Sequence, residues 1–466
     1  MKKYKRYTET KEEIKMCKTK SKKGITLVSL VITIIVLMIL AGVAISLVTG
    51  QDSIFSKANE AAKKWNTAIG EESNTIKNIL AIADQVTGGG DVTTLPADGS
   101  FNKTKGVNTP NLGTNMSLVK FDEGTQDWVV DETNSAYSYK DTEAEGANSS
   151  EWANAKVTVD GIDSYFVWIP RYAYKITYYT DEDKTTTSET PTTYGTIDIK
   201  FLKGTSNIAA DGVTVCKYAD DETLNTTTDY IIHPAFTADA DLGGGFGSNN
   251  GANDNGISGL WIGKYETARS DAQGATLGSA TTLKVQPGVT SYRSVEVGYA
   301  YTYAKAYNPN LKSHMLKNSE WGAVAYLTES KYGRDGTEVT INNNRTTYYT
   351  GGGEGKDYVE NNQDQSSTGN VYGIYDLSGN ASEYVAAGYQ NQSSIGTSSG
   401  SNEYGTVYTT TSASTGYKYG DATYETSGWH SDSAKFVSSI FPFFERGGGY
   451  SDGDDAGVFC VNRDNR

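Results

Sequence analysis

Residues 25–48 read ITLVSLVITIIVLMILAGVAISLV and contain no charged side chain. As a helix, this run at ~1.5 Å per residue extends about 36 Å, enough to cross a ~30 Å hydrocarbon core with some tilt. The segment before it, residues 1–24, holds ten Lys/Arg against three Glu, a net of +7. The whole chain carries −15, so the other 442 residues carry −22. A basic flank keeps the N-terminus in the cytoplasm and sends the acidic bulk outside. The run is too long for the apolar region of a cleaved secretory signal, and no small-residue cleavage site closes it. A single-pass membrane anchor accounts for these residues.

A more specific reading comes from Lys22-Lys23-Gly24 followed by Ile25-Thr26-Leu27-Val28, which resembles the processing site of type IV prepilins. That resemblance implies cleavage between Gly24 and Ile25 by a prepilin peptidase, with the freed apolar segment packing in a pilus-like filament. Pilins usually carry glutamate at the fifth mature position, where this chain has Ser29. From Gln51 to Val86, apolar residues such as Ile54, Phe55, Ala58, Ala61, Ala62, Trp65 and Ile69 recur at three- and four-residue spacing. The apolar run thus continues as a stalk helix over 25–86; a juxtamembrane coiled spacer fits the same pattern. Gly88-Gly89-Gly90 ends it, and residues 87–107 read as a flexible linker.

Beyond Pro110 the texture changes to short strand-like runs between polar loops: 155–159, 165–170, 172–176, 196–202 and 259–265. One helix is expected from Ser319, with Trp321, Val324, Ala325 and Leu327 on one face and Glu320 in its first turn. Three polar tracts, 179–194, 239–258 and 350–369, are expected to be exposed and mobile, because their Gly, Asn, Thr and Asp content buries little surface. A pI near 4.8 argues against nucleic acid as a partner, since phosphate binding needs clustered Lys and Arg. His233, His314 and His430 lack the spacing of a zinc site. Outside the leader, Cys216 and Cys460 are the two cysteines, and spacing alone does not decide whether they pair.

Residues 371–385, VYGIYDLSGNASEYV, and 446–459, RGGGYSDGDDAGVF, resemble two glycine-rich blocks of the formylglycine-generating-enzyme family, which has a C-type-lectin-like fold. Gly373, Tyr375, Asp376, Leu377, Gly379, Asn380 and Glu383 match the first block; Arg446, Gly447, Gly448 and Tyr450 match the second. The resemblance implies a structural calcium held by the Asp376 and Glu383 side chains and the Gly379 and Ala381 carbonyls. Calcium favours several oxygens at ~2.3–2.6 Å, which a tight glycine turn between two acids presents. A turn whose acids cap local amides fits the same residues. The family's enzymes use two cysteines that fall here at Asp452 and Gly457, so copper and catalytic oxidation are not expected. The non-enzymatic branch includes variable proteins diversified by retroelements, which implies ligand binding by the tail residues Tyr450, Ser451, Asp452, Asp454, Asp455, Asn462, Asp464 and Asn465. Tyrosine with small polar residues is also what adaptable binding surfaces use.

The expected architecture is therefore an α+β fold: a long N-terminal pilin-like α-helix, then a C-type-lectin-like domain over 108–466 of short strands, few helices and long loops. The family usually adds a closing strand after the position of Arg466, so the domain is expected to be cut short at its C-terminus. The expected function is recognition or adhesion at the cell surface by a membrane-anchored or pilus-like protein, its ligand an unidentified protein or glycan, without chemical turnover. A structural minor pilin-like subunit and a formylglycine-generating oxidase are the rival readings.

Overall fold

The computed structural model describes residues 99–249, 254–270 and 282–465. The leader, the processing site at Gly24 and Ile25, the apolar run 25–48 and the stalk to residue 86 lie outside the described residues. Among the described residues no helix is long and apolar enough to cross a membrane.

The α+β expectation is corrected: about 28% of the described residues are in strands and 16% in helices. Its α-helices are short, of which Val297–Tyr307 (α1) and Asn318–Glu329 (α2) exceed a single turn. The physical reason lies in the alternating and aromatic runs. Met116–Asp122 (β1), Asp127–Val130 (β2), Asn154–Val159 (β3), Ile162–Pro170 (β4) and Gly259–Gly263 (β7) form an antiparallel sheet in the order β7-β4-β3-β1-β2. Tyr172–Tyr179 (β5) and Tyr194–Phe201 (β6) pair in full register, Tyr172 opposite Phe201 and Tyr179 opposite Tyr194. The runs at 155–159, 165–170 and 172–176 thus fall inside strands, and those at 196–202 and 259–265 do so except at their C-terminal ends, as their β-branched and aromatic content favours.

The third sheet carries the glycine-rich blocks. Glu383–Tyr389 (β8), Thr406–Tyr408 (β9), Phe443–Gly447 (β10) and Gly457–Asp464 (β11) pair in the order β9-β8-β10-β11, with only β8 and β9 parallel. Along β11, residues 433–435 cover the outer edge: Val461 N donates to Ser433 O at 2.7 Å and Lys435 N to Val461 O at 2.8 Å. Paired backbone groups there are withdrawn from edge-to-edge association.

Helix α2 ties the sheets together. All twelve of its residues are buried, which a helix endures only when packed on every side. Trp321 Nε1 donates to Val458 O on β11 at 2.8 Å, and Tyr172 Oη on β5 donates to Ala323 O at 2.7 Å. Glu320, third in the helix, accepts from Lys317 N at 2.9 Å, satisfying an otherwise orphaned donor.

The three polar tracts part ways. Residues 179–194 are largely exposed. In 239–258, Gly243 and Gly244 are buried, and their carbonyls accept Ser319 Oγ and Lys317 Nζ, both at 2.5 Å. In 350–369, Thr350, Tyr358, Val359 and Ser366–Thr368 are buried. The expectation of exposure is corrected for these stretches: their small polar side chains are satisfied by hydrogen bonds rather than by water. Residues 99–107, the end of the stretch read as linker, pair Phe101–Asn102 with Val107–Asn108, and Val107 is fully buried.

Candidate functional site

The segment Asp376–Glu383 leads into β8, and its shape follows from three left-handed residues, Asp376 (φ 65°), Gly379 (φ 86°) and Asn380 (φ 55°). Glycine takes this region freely and Asx residues tolerate it better than others. Each such position costs about 1–3 kcal/mol for a non-glycine residue unless the surroundings over-determine it. Here they do. Asp376 accepts Asn342 Nδ2 at 2.9 Å and Gly351 N at 2.8 Å. Asn342 N donates to Ser378 O at 2.8 Å, and Asn380 N to Asn342 O at 2.7 Å. The second block locks onto the first: Gly379 N donates to Gly447 O at 3.1 Å, and Tyr450 N to Asn380 O at 2.9 Å.

A third acid joins that the sequence reading missed. Glu266, buried, accepts Asn380 Nδ2 at 2.8 Å and Ala381 N at 2.9 Å. It stands more than a hundred residues before the loop, so no local spacing signals it. Burial pushes the Glu266 carboxyl well up, and the charges of Asp376 and Glu383 push it further. Asp376 is raised to about 6 by burial, against the opposing hydrogen bonds from Gly351 and Asn342. Glu383, half-buried where the loop enters β8, is raised to about 8 by burial and by Asp376. Among the described residues no lysine or arginine forms an ion pair with any of the three. Asn380 Oδ1 is buried without a hydrogen-bond partner.

This donor set fits a hard cation: carboxylate oxygens in excess of positive charge, a free amide oxygen, and the carbonyls of Gly379 and Ala381 in the same turn. Of the expected ligands, the structure brings Asp376, Gly379, Ala381 and Glu383 into one turn. Among the described residues no three His, Cys, Asp or Glu side chains are arranged to hold a metal by themselves. A bound calcium would therefore rely on main-chain oxygens as well as acids.

The tail residues separate into two groups. Tyr450, Ser451, Asp452, Asp454 and Asp455 sit together in the turn between β10 and β11, with Ser451–Asp455 exposed. Asn462 and Asp464 lie toward the far end of β11, opposite Glu445 and Phe443, with Asn465 just beyond. At ~3.3 Å per residue, seven residues from Gly457 to Asp464 place that end about 23 Å from the turn. Asp464 is also occupied, accepting Tyr384 Oη at 2.6 Å. The eight expected ligand-facing residues thus lie in two places, five in the turn and three at the far end of β11. Asp452 serves the turn itself, accepting Gly449 N at 2.8 Å.

Two neighbours extend the turn. The Tyr450 ring meets Tyr348 edge-on at 5.0 Å between centroids, and the Arg293 guanidinium lies over the Tyr348 ring at 3.5 Å. Tyr348 O in turn accepts Ser291 N at 3.1 Å. The result is a half-exposed Tyr–Tyr–Arg platform resting on the acidic loop. Aromatic faces stacked with arginine give rigid contact area with a polar edge.

At the positions of the family's cysteine pair the chemistry differs. A side chain at Gly457 would have its Cβ 2.0 Å from Asp432 Oδ1, so the Asp432 carboxylate fills that space. Cys460 is buried, with its thiol pushed up to about 12 by burial; Cys216 is likewise buried, and both are free thiols. The histidines are tied locally: His233 Nδ1 accepts Ala235 N, His314 Nε2 meets Glu320 at 3.0 Å, and His430 Nε2 meets Glu329 at 3.1 Å. No model of a known protein family matches the chain, and no curated protein matches it.

Proposed function

We propose that this chain is a cell-surface recognition protein, anchored through the apolar run 25–48, whose acidic loop holds calcium and sets the pose of the ligand-facing turn. The resemblance of the two glycine-rich blocks to the formylglycine-generating-enzyme family, and of the leader to prepilins, belongs to the same proposal, as does processing by a prepilin peptidase at Gly24. The ligand is a protein or glycan, and no turnover is involved.

The observation that carries the reading is the clamp between the blocks. Tyr450 N donates to Asn380 O and Gly379 N to Gly447 O, so whatever orders the loop also orders Tyr450 and the platform beside it. In calcium's presence, Asp376 and Glu383 would supply charge and Gly379 and Ala381 carbonyl oxygens. The Tyr450–Tyr348–Arg293 surface would make the contact, because rigid aromatics lose little conformational freedom on binding.

The test is adhesion of intact cells bearing the full chain to arrayed glycans and surface proteins, with and without chelator. The combined variant Tyr348→Ala/Tyr450→Ala should lose adhesion while remaining on the surface at its usual level. Adhesion that survives both the chelator and the double substitution would sink the reading.

A further inference from the structure

We propose that a second binding site lies apart from the loop and the turn: a cavity of about 270 Å3 lined by Thr142, Asn148, Arg334, Asp335, Thr337 and Asp364, which takes a small hydroxylated carboxylate. It shares no lining residue with the surface described above, so it stands whether or not that reading holds.

Arg334 is held in place by the tight turns that follow α2. Arg334 N donates to Thr328 O at 2.6 Å, Gly336 N to Glu329 O at 2.8 Å and Thr337 N to Arg334 O at 3.0 Å. Its side chain is only 7% exposed. A guanidinium offers five N–H donors, yet this one is poorly supplied. Nη2 donates to Glu338 O at 3.3 Å, Nη1 stands 3.8 Å from the Asp364 carboxylate, and Nε has no partner. Burial lowers the Arg334 pKa against the opposing pull of Asp364. A buried cation so thinly paired is costly unless an acceptor arrives from outside. Asp364 does not meet that need, because its side chain is 74% exposed and sits beyond hydrogen-bond distance.

The cavity beside Arg334 has room for such an acceptor. Behind it, Asn148 Oδ1 and Arg334 Nη1 pack against Gly369, where an added Cβ would lie 2.0 and 2.2 Å from them, so only glycine lets the guanidinium sit there. A carboxylate is the group whose two oxygens match the planar fork of arginine. The remaining lining chooses the rest of the ligand. Thr142 Oγ1 already donates to Lys331 O at 2.7 Å, so its oxygen is left to accept. The Thr337 hydroxyl, the Asn148 amide and the Asp335 carboxylate complete a wall that pairs with hydroxyl groups, and Ala147 is the apolar side chain among them. The volume approaches the ~300 Å3 lower end of small-molecule pockets and exceeds what an inorganic anion fills.

Isothermal titration of the full chain with glucuronate tests this, with glucose and acetate as comparisons. Glucuronate should bind at least tenfold more tightly than either. Asp364→Asn, a change at an exposed side chain, should tighten glucuronate several-fold by removing the competing carboxylate. Arg334→Gln should weaken it at least tenfold; should that variant fold poorly, Thr337→Val must weaken glucuronate while leaving acetate unchanged. Absence of glucuronate binding up to about 10 mM, weaker binding by Asp364→Asn, or equal affinity for acetate would each overturn the proposal.

Discussion

Glu320 at the start of α2 and the set Glu266, Asp376 and Glu383 are carboxylates withdrawn from water, and the fold treats them in opposite ways. Around Glu320, His314 Nε2 stands at 3.0 Å, Lys317 Nζ at 3.7 Å and Lys317 N donates at 2.9 Å. Burial would raise its pKa, but His314 and Lys317 outweigh that and hold it at about 2. Around the loop, neutral amides from Asn342, Gly351, Asn380 and Ala381 are the donors, and Asp376 raises both Glu383 and Glu266, which Glu383 raises further. A compensated buried carboxylate is a closed structural unit. An uncompensated group of them retains affinity for protons or cations, which distinguishes a site from a scaffold.

The contrast is broken most forcefully at Lys317. Its ammonium is buried, donating to Gly244 O at 2.5 Å and lying 5.0 Å from the Phe246 ring. Lys317→Met leaves Glu320 charged with one cationic partner fewer and should cost about 3–5 kcal/mol in urea unfolding at pH 7. Adding Glu320→Gln should recover part of that loss. A cost under about 1 kcal/mol for the single change would show that Lys317 does not compensate Glu320.

These two regions also differ in how far the sequence announces them. The start of α2 is local: Trp321, Val324, Ala325 and Leu327 mark the helix, and Glu320 falls in its first turn as a residue near the positive helix end should. The strands around Trp168 and Tyr174 are equally local, because aromatic and β-branched runs favour a pleated surface. The loop was legible only in part. Its motif names Asp376, Gly379 and Glu383, but Glu266, Asn342 and Gly351 reach it from three distant segments. Gly351 belongs to a tract whose composition looks like any exposed loop, yet it is buried against Tyr358 and Tyr265 and donates to the Asp376 carboxylate. The tail was legible only in part for a similar reason: composition does not reveal that Asp455 lies in the turn and Asp464 at the far end of a strand.

Acidity separates the two regions by the sign of their slopes. Glu320 is depressed to about 2 from an unfolded value near ~4.3. Its contribution is therefore present above ~4.3 and lost as pH falls toward 2. Asp376 at about 6 and Glu383 at about 8 are raised, so the folded chain binds protons more tightly than the unfolded one. Their contribution is full at low pH and is lost as pH rises from ~4 through 6 to 8. Glu425 and Asp432, each raised to about 7, largely by burial, add to the same limb. Urea stability of the calcium-free chain should fall on both sides of a maximum near pH ~5, with the loss between pH ~5 and ~8 on the order of several kcal/mol. A midpoint that rises steadily to pH 8 would remove the uncompensated charge from the account.

The finest discrimination comes from Glu383→Gln. Glutamine keeps the shape and removes one of the three like charges, so calcium-free stability at pH 8 should rise by on the order of 1 kcal/mol. The alkaline limb should flatten, because Glu383 no longer titrates and Glu266 loses one repulsive neighbour. In the same variant, calcium should raise the thermal midpoint much less than in the unaltered chain, since a carboxylate ligand is gone while the Gly379 and Ala381 carbonyls remain. The two readouts move in opposite directions, which a mere packing defect does not produce: a defect lowers stability with or without calcium. An undiminished calcium response would exclude Glu383 from the cation site, and a loss of calcium-free stability would make it a structural partner like Glu320.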